Sequence, residues 1–256
     1  MGIQDLQKFL ETHCQQACKP VDLVQIARGI ANKPIKGKRR PGPGPSYSLK
    51  LIVDAESCLD RLYGGYFSDW VCGGQWNRMT NFLTTLMQAC HTSNMDLVVF
   101  LNGAFESTRL QEWNKQQRKR KSNISHVIRH ISNKGTPPPK VWWVPSACLL
   151  SALRMALRQL GVPVMCSTED HHQEVMAYCR ENFFHGVVAQ DADYAIFDPP
   201  RYFSSEHLKL TYKGSLETQE YVMDDVARAL DLHPKRFALF ATLLGIAYNE
   251  LPSTFL

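Results

Sequence analysis

The chain has 256 residues, 44% of them hydrophobic and 21% charged, with a formal net charge of +5; this is globular composition, with apolar mass for one large domain or two small ones. No apolar run reaches 18 residues, which excludes a membrane-spanning helix of the usual kind. The opening MGIQDLQKFLETHC lacks the apolar core of a secretory signal, and Leu6 stands where N-myristoylation would want Ser or Thr.

Ile3, Leu6, Phe9 and Leu10 fall on one face of a first predicted helix. His13, Cys14 and Cys18 form a zinc-like cluster, but no downstream pair completes it. None of the eight cysteines forms a C-x-x-C pair, so buried free thiols in a reduced, intracellular protein are the expectation. A second helix is predicted over Val21 to Ile30. Residues 33–48 then hold five basic residues, four prolines and three glycines without apolar periodicity. That predicts an exposed insertion within a fold that continues on both sides.

LKLIVDA predicts a dense apolar strand ending at Asp54, and a helix follows over Trp76 to Cys90. Between them the glycine- and aromatic-rich stretch 63–76 reads equally as a packed loop and as a surface for a protein partner. DLVVFLNG is a second buried strand, ending at Asn102. Residues 109 to 131 are helical in pattern and basic: Arg109 to Lys140 contains nine Lys/Arg against one acid, Glu112. Such a block reads as a solvated helix face or as a site for a polyanion. VWWVP (141–145) is predicted as a strand, 147–161 as a helix ended by Gly161, and VPVMC as another strand. HHQEVMAYCRENF is a helix, GVVAQDAD a strand, HLKLTY an edge strand, and YVMDDVARALDLHP and FALFATLLG are helices.

Strands without alternation, separated by helices, predict an α/β fold with a central, mostly parallel sheet covered on both faces. Ligands of such sheets bind outside the carboxyl ends of the strands. Asp54, Asn102, Asp191 and Asp193 all fall at such ends. Singly, each is also what a turn or helix cap uses; together they indicate a site. Two-metal phosphodiester cleavage requires several carboxylates to converge on hard divalent ions. Asp54, Asp191 and Asp193 are the first candidates, with Glu169, Asp170 and Glu174 at the start of the preceding helix.

MGIQDLQKFL, LIVDA, VVFLNG, an acidic helix start, AQDADY and FATLLG follow the order of the flap-endonuclease/XPG superfamily with its PIN-like fold. RLYGGYFSDWVCGGQWN, NKGTPPPKVW, EDHHQEVMAYCRENFFHG and DADYAIF more closely resemble the constitutive coactivator of PPAR-gamma-like family. The resemblance covers essentially the whole chain, and because members of that family are much longer it implies an N-terminal domain. Set against the nuclease motifs, Asp54, Asp191 and Asp193 match metal-ligating aspartates, but Asn102, His172 and Ala247 stand at acidic positions. For the E-A-E triplet, the matching positions are Asp170 and His172, or, with a one-residue gap, His171 and Gln173. The depleted set predicts no required cofactor and at most one weakly held Mg²⁺ or Mn²⁺ at Asp54, Asp191 and Asp193, with Asp170 and Glu174 as further candidates. His171 and His172, adjacent at a helix start, read as surface polar residues.

The basic segment 109–140 lies where flap endonucleases carry an arch that clamps single strands. Arg109, Lys115, Arg118, Lys119, Arg120 and Lys121 are therefore the expected nucleic-acid contacts, with Trp113, Trp142 and Trp143 as candidates for base stacking. A buried sheet would instead take Trp142 or Trp143 into the core. The sequence thus predicts one domain over 1–256, a catalytically impaired nuclease fold. The resemblance implies an RNA-binding, scaffold or coactivator role in cytoplasm and nucleus, with protein partners. The alternatives are a working nuclease on a reduced acidic site and a pure protein-interaction module.

Overall fold

The computed structural model describes residues 6–32, 47–65, 74–103, 110–139, 142–146, 148–233 and 236–250, with side chains at all of these but 112, 116 and 244–250. Arg109, nearly all of the 33–48 insertion, residues 66–73 and the side chain of Ala247 lie outside the described residues.

The centre of the parallel part of the sheet is β2 (Leu49–Asp54). β3 (Met95–Asn102) and then β4 (Val164–Ser167) extend it on one side, and β5 (Gly186–Ala189) and β6 (Tyr202–Ser204) on the other, all in parallel. Beyond β6 the sheet turns antiparallel through β8 (Leu216–Tyr221) to β1 (Cys18–Asp22), with the two-residue β7 (Lys209–Leu210) also on β8. The predicted mostly parallel sheet is present, and its inner strands are buried along their length, as in GVVA of β5.

Successive residues of β2 point to opposite faces and enter different cores. Leu51 and Val53 pack with Leu83 of α4 (Trp76–Thr92) and Leu153 of α6 (Leu149–Gln159). Ile52 packs with Val175 and Met176 of α7 (His171–Glu181). A third cluster joins Leu6 and Leu10 of α1 (Leu6–His13) to Val226 of α9 (Met223–Ala229) and Phe237 of α10 (Phe237–Glu250). α2 (Leu23–Ala31) begins where the Asp22 carboxylate accepts the Val24 N–H at 2.9 Å, an N-cap worth about 1 kcal/mol. α3 (Leu59–Leu62), α5 (Leu110–Lys134) and α8 (Asp193–Ile196) complete the elements used below.

One expected strand is absent. Residues 142–146 form no strand; Pro145 within them lacks the N–H that a ladder would use. β1, β6 and β8 were not predicted: β1 contains Lys19 and Pro20, and β8 reads LETQEY, whose apolar positions make sense only once its partners are known. His13, Cys14 and Cys18, for which the sequence offered no completing pair, do not converge as a group of metal ligands among the described residues. The His13 ring stacks on Phe9, and burial pushes the Cys18 thiol up to about 11, with Glu11 adding to it.

Candidate functional site at the strand carboxyl ends

Asp54 ends β2, Asn102 ends β3, Ser167 ends β4, and Asp191 follows β5 by two residues. The parallel register brings these four ends to one edge of the sheet. His171 and His172 open α7 directly above, because Asp170 caps that helix by accepting the Gln173 N–H at 2.9 Å. The cap fixes where the first turn begins and so aims both imidazoles at the carboxylates.

The Asp54 carboxylate is buried and fully engaged. One oxygen accepts the Glu56 N–H at 2.9 Å and lies 3.1 Å from His171 Nε2. The other accepts the Ser57 hydroxyl at 3.0 Å and the Tyr194 hydroxyl at 3.2 Å. An ionised carboxylate offers about four lone-pair positions, and here protein donors hold all four. Since that carboxylate only accepts, His171 Nε2 carries the proton. In the neutral tautomer Nδ1 then accepts from Ser167 Oγ, 2.9 Å away. Its one proton given to His171, Ser167 completes the chain Asp54–His171–Ser167 between the ends of β2 and β4, with Asn102 Oδ1 of β3 lying 3.4 Å from Ser167 Oγ. Burial pushes the Tyr194 hydroxyl well above its ordinary range, and the Asp54 charge adds to this. The phenol therefore stays a donor.

A second pair lies beside the first. His172 Nε2 is 3.0 Å from Asp191 Oδ2, and Asp191 Oδ1 accepts the Asp193 N–H at 3.1 Å. Burial opposes charge on both partners, but their hydrogen bond and mutual attraction prevail. The His172 imidazole is held above its ordinary value and the Asp191 carboxyl below. One ligand atom from each of His172, Asp191 and Asp193 lies within 4.8 Å of the others, the one group of three potential ligands so placed among the described residues.

The expectation that His171 and His172 lie on the surface is corrected: both are buried, at 6% and 7% exposure. His172, read as a lost position, is occupied by a side chain that binds the carboxylate opposite it. Asp170 caps α7, while Glu174 accepts the Thr168 N–H at 2.8 Å and the Glu169 N–H; both acids serve the helix start. Sequence reasoning missed Ser57, Ser167, Tyr194 and the role of His171. The signals available were the serine three residues after Asp54 and two adjacent histidines at the capped helix start.

A cavity of about 480 Å³ adjoins the site, lined by Glu56, Ser57, Arg61, Gln190, Trp143 and, from α5, Arg120. Burial raises the Glu56 carboxyl above its ordinary range, helped by the Asp54 charge and opposed by Arg120. Trp142 is tilted over His126 and edge-on to His130 of α5, with centroids 5.7 and 5.6 Å away. Lys115, Arg118, Lys119 and Lys121 lie along α5, and Lys115, Arg118, Lys119 and Lys121 are exposed.

No protein-family model matches the chain. It is 50% identical over 246 residues to constitutive coactivator of PPAR-gamma-like protein 1 homolog of Xenopus tropicalis, covering 96% of this chain and 23% of that protein. The chain thus spans about a quarter of the length of this relative. Among solved structures it resembles the catalytic core of Rad2 in complex with DNA substrate, with a TM-score of 0.56, 12% identity, and coverage of 93% of this chain and 61% of that one. Human GEN1 in complex with Holliday junction DNA gives a TM-score of 0.55 at 16% identity, covering 96% and 51%. The fold is that of the Rad2 and GEN1 nucleases, and by its sequence the chain belongs to the constitutive coactivator of PPAR-gamma-like protein family.

Proposed function

We propose that this chain is a nuclease fold without nuclease chemistry, which binds single-stranded nucleic acid, RNA foremost, and serves as a scaffold or coactivator module in cytoplasm and nucleus. The observation that carries this reading is the double pairing of the carboxylates. His171 and three further donors hold Asp54, and His172 holds Asp191. Two-metal cleavage needs those lone pairs on Mg²⁺, and the residues present do not fit that use. A cationic imidazole beside Asp191 supplies the charge balance that a metal would otherwise provide.

Nucleic-acid binding is supported by the basic surface of α5 and by the cavity that its Arg120 lines. Arg120 and Arg61 offer guanidinium donors there and Trp143 an indole, the groups that hold phosphates and bases of single strands. Arg61 Nε is buried, 3.6 Å from Asp60 and without a hydrogen-bond partner among the described residues. Protein partners fit the word coactivator in the relative's name.

A second reading keeps one ion. The His172, Asp191 and Asp193 ligand atoms are close enough to share a Mn²⁺ or Zn²⁺, which imidazole favours over Mg²⁺. One such ion leaves the second metal position without Asp54.

The test is to titrate Mg²⁺ and Mn²⁺ against the protein with a labelled flap DNA and a single-stranded RNA, scoring binding and cleavage together. Binding of the RNA without cleavage of either substrate is expected. Metal-dependent cleavage abolished in both Asp54→Ala and Asp191→Asn would overturn the reading.

A further inference from the structure

α5 carries more than positive charge. Leu110, Trp113, Ile124, Ile128 and Ile131 are 45%, 45%, 44%, 59% and 36% exposed. Their steps of three, eleven, four and three residues keep them on one face. The stripe runs along about 30 Å of helix. The rest of its C-terminal half is already in use: Val127, beside the stripe, is buried, and on the far side Trp142 packs on His126 and His130, which fixes this helix to the body. Lys115 and Lys119 lie roughly opposite the stripe, and Arg118 to one side of it. Lys121 and Arg120 flank it on either side, between the Leu110–Trp113 and Ile124–Ile131 clusters along the axis. Across Leu110–Lys134 seven Lys/Arg stand against one acid, Glu112.

We infer that this stripe is a docking surface for an acidic amphipathic helix of a partner protein, whose apolar contacts are separate from nucleic-acid binding and whose acidic contacts share Arg120 and Lys121 with it. Aliphatic Ile124, Ile128 and Ile131 have no π-face on which a base could stack, so a strand of RNA leaves them in water. A second copy of α5 would bring like charges together along its whole length. A lipid surface is the competing occupant, which the vesicle comparison distinguishes. A helix with apolar residues along its seam and Glu or Asp beside them satisfies both features: its apolar residues cover the two clusters, and its carboxylates meet Arg120 and Lys121.

The experiment uses a fluorescein-labelled 21-residue peptide with Leu along one helical seam and Glu flanking it. The comparisons are the same peptide with Lys for Glu, vesicles of phosphatidylcholine and phosphatidylserine, and a labelled single-stranded RNA. Anisotropy should show that the Glu peptide binds and the Lys peptide does not. Ile124→Gln/Ile128→Gln should weaken the Glu peptide at least tenfold and leave RNA affinity unchanged; Lys119→Glu/Lys121→Glu should weaken both. Circular dichroism of each variant checks that the helix persists, and Ile128→Gln alone, at the most exposed position, gives the same direction of change if the double variant melts. No binding of the Glu peptide, an affinity indifferent to the isoleucines, or vesicle binding lost with them would each overturn the proposal. RNA binding lost with the isoleucines would do so too. An intact peptide site on a chain that fails to bind RNA would overturn only the nucleic-acid reading.

Discussion

His172 and Asp191 ionise against each other in a site that is mostly buried, and their shifts have opposite signs. Burial lowers the His172 value, but the Asp191 hydrogen bond and charge outweigh it and hold the imidazole above its ordinary 6.5. Burial raises Asp191, but His172 outweighs that and holds the carboxyl below its ordinary 3.8. The imidazole's contribution to stability is therefore complete below pH 6.5 and lost as pH rises through its raised folded value. The carboxyl's is complete above pH 3.8 and lost as pH falls through its depressed folded value. Between those limits the pair contributes most. His172→Gln should cost roughly 3 kcal/mol at pH 5.5, as removal of one partner from a buried ion pair does, and less at pH 8.5. Urea unfolding of both proteins across that range measures the difference; a cost that does not change with pH would contradict the assignment. Asp54, Asp191 and Asp193 were legible in the sequence as carboxylates at strand ends. Their partners were not, because an imidazole 117 residues from Asp54 has no local signature of facing it.

At the scale of elements, α5 and α7 decide what the strand ends can do. α7 was legible because its start carries a capping aspartate and its buried residues recur at helical spacing. Which way its first turn faces was not, since that depends on packing against β2 and β4. α5 was legible as a helix from its run of helix-forming residues, and its basic face follows directly from composition. If Arg118, Lys119 and Lys121 each neutralise a phosphate of a bound single strand, replacing all three by Gln should lower the slope of log affinity against log salt by about 2. Filter binding of a labelled RNA at several salt concentrations measures that slope. An unchanged slope would move the nucleic-acid contact away from α5.

For the whole molecule, the sheet edge works only if the strands stand close together. At Gly186, where β5 meets β6, an added Cβ would lie 2.6 Å from the Arg201 carbonyl oxygen and 3.0 Å from the Phe203 ring. Backbone cannot yield as a flexible side chain can, so Gly186→Ala should destabilise by about 1–3 kcal/mol. The expected signature is a lower urea midpoint with the slope of unfolding unchanged. Because β5 carries Asp191 at its end, the same variant should weaken the His172–Asp191 pairing. A variant as stable as the parent would show that β5 and β6 are spaced more loosely than described.

What the sequence determined by itself was local: buried strands of β-branched and aliphatic residues, amphipathic and basic helices, and aspartates at the points where strands stop. Periodicity and capping depend on residues a few positions apart, so they can be read along the chain. Tertiary structure decided the rest. The antiparallel edge of β1, β6 and β8 is set by partners up to 203 residues away, as in Cys18 opposite Tyr221. The same long-range packing turned two histidines inward onto Asp54 and Asp191. A carboxylate's chemistry depends on which donors surround it, and those donors meet here only because distant strand ends share one edge of the sheet.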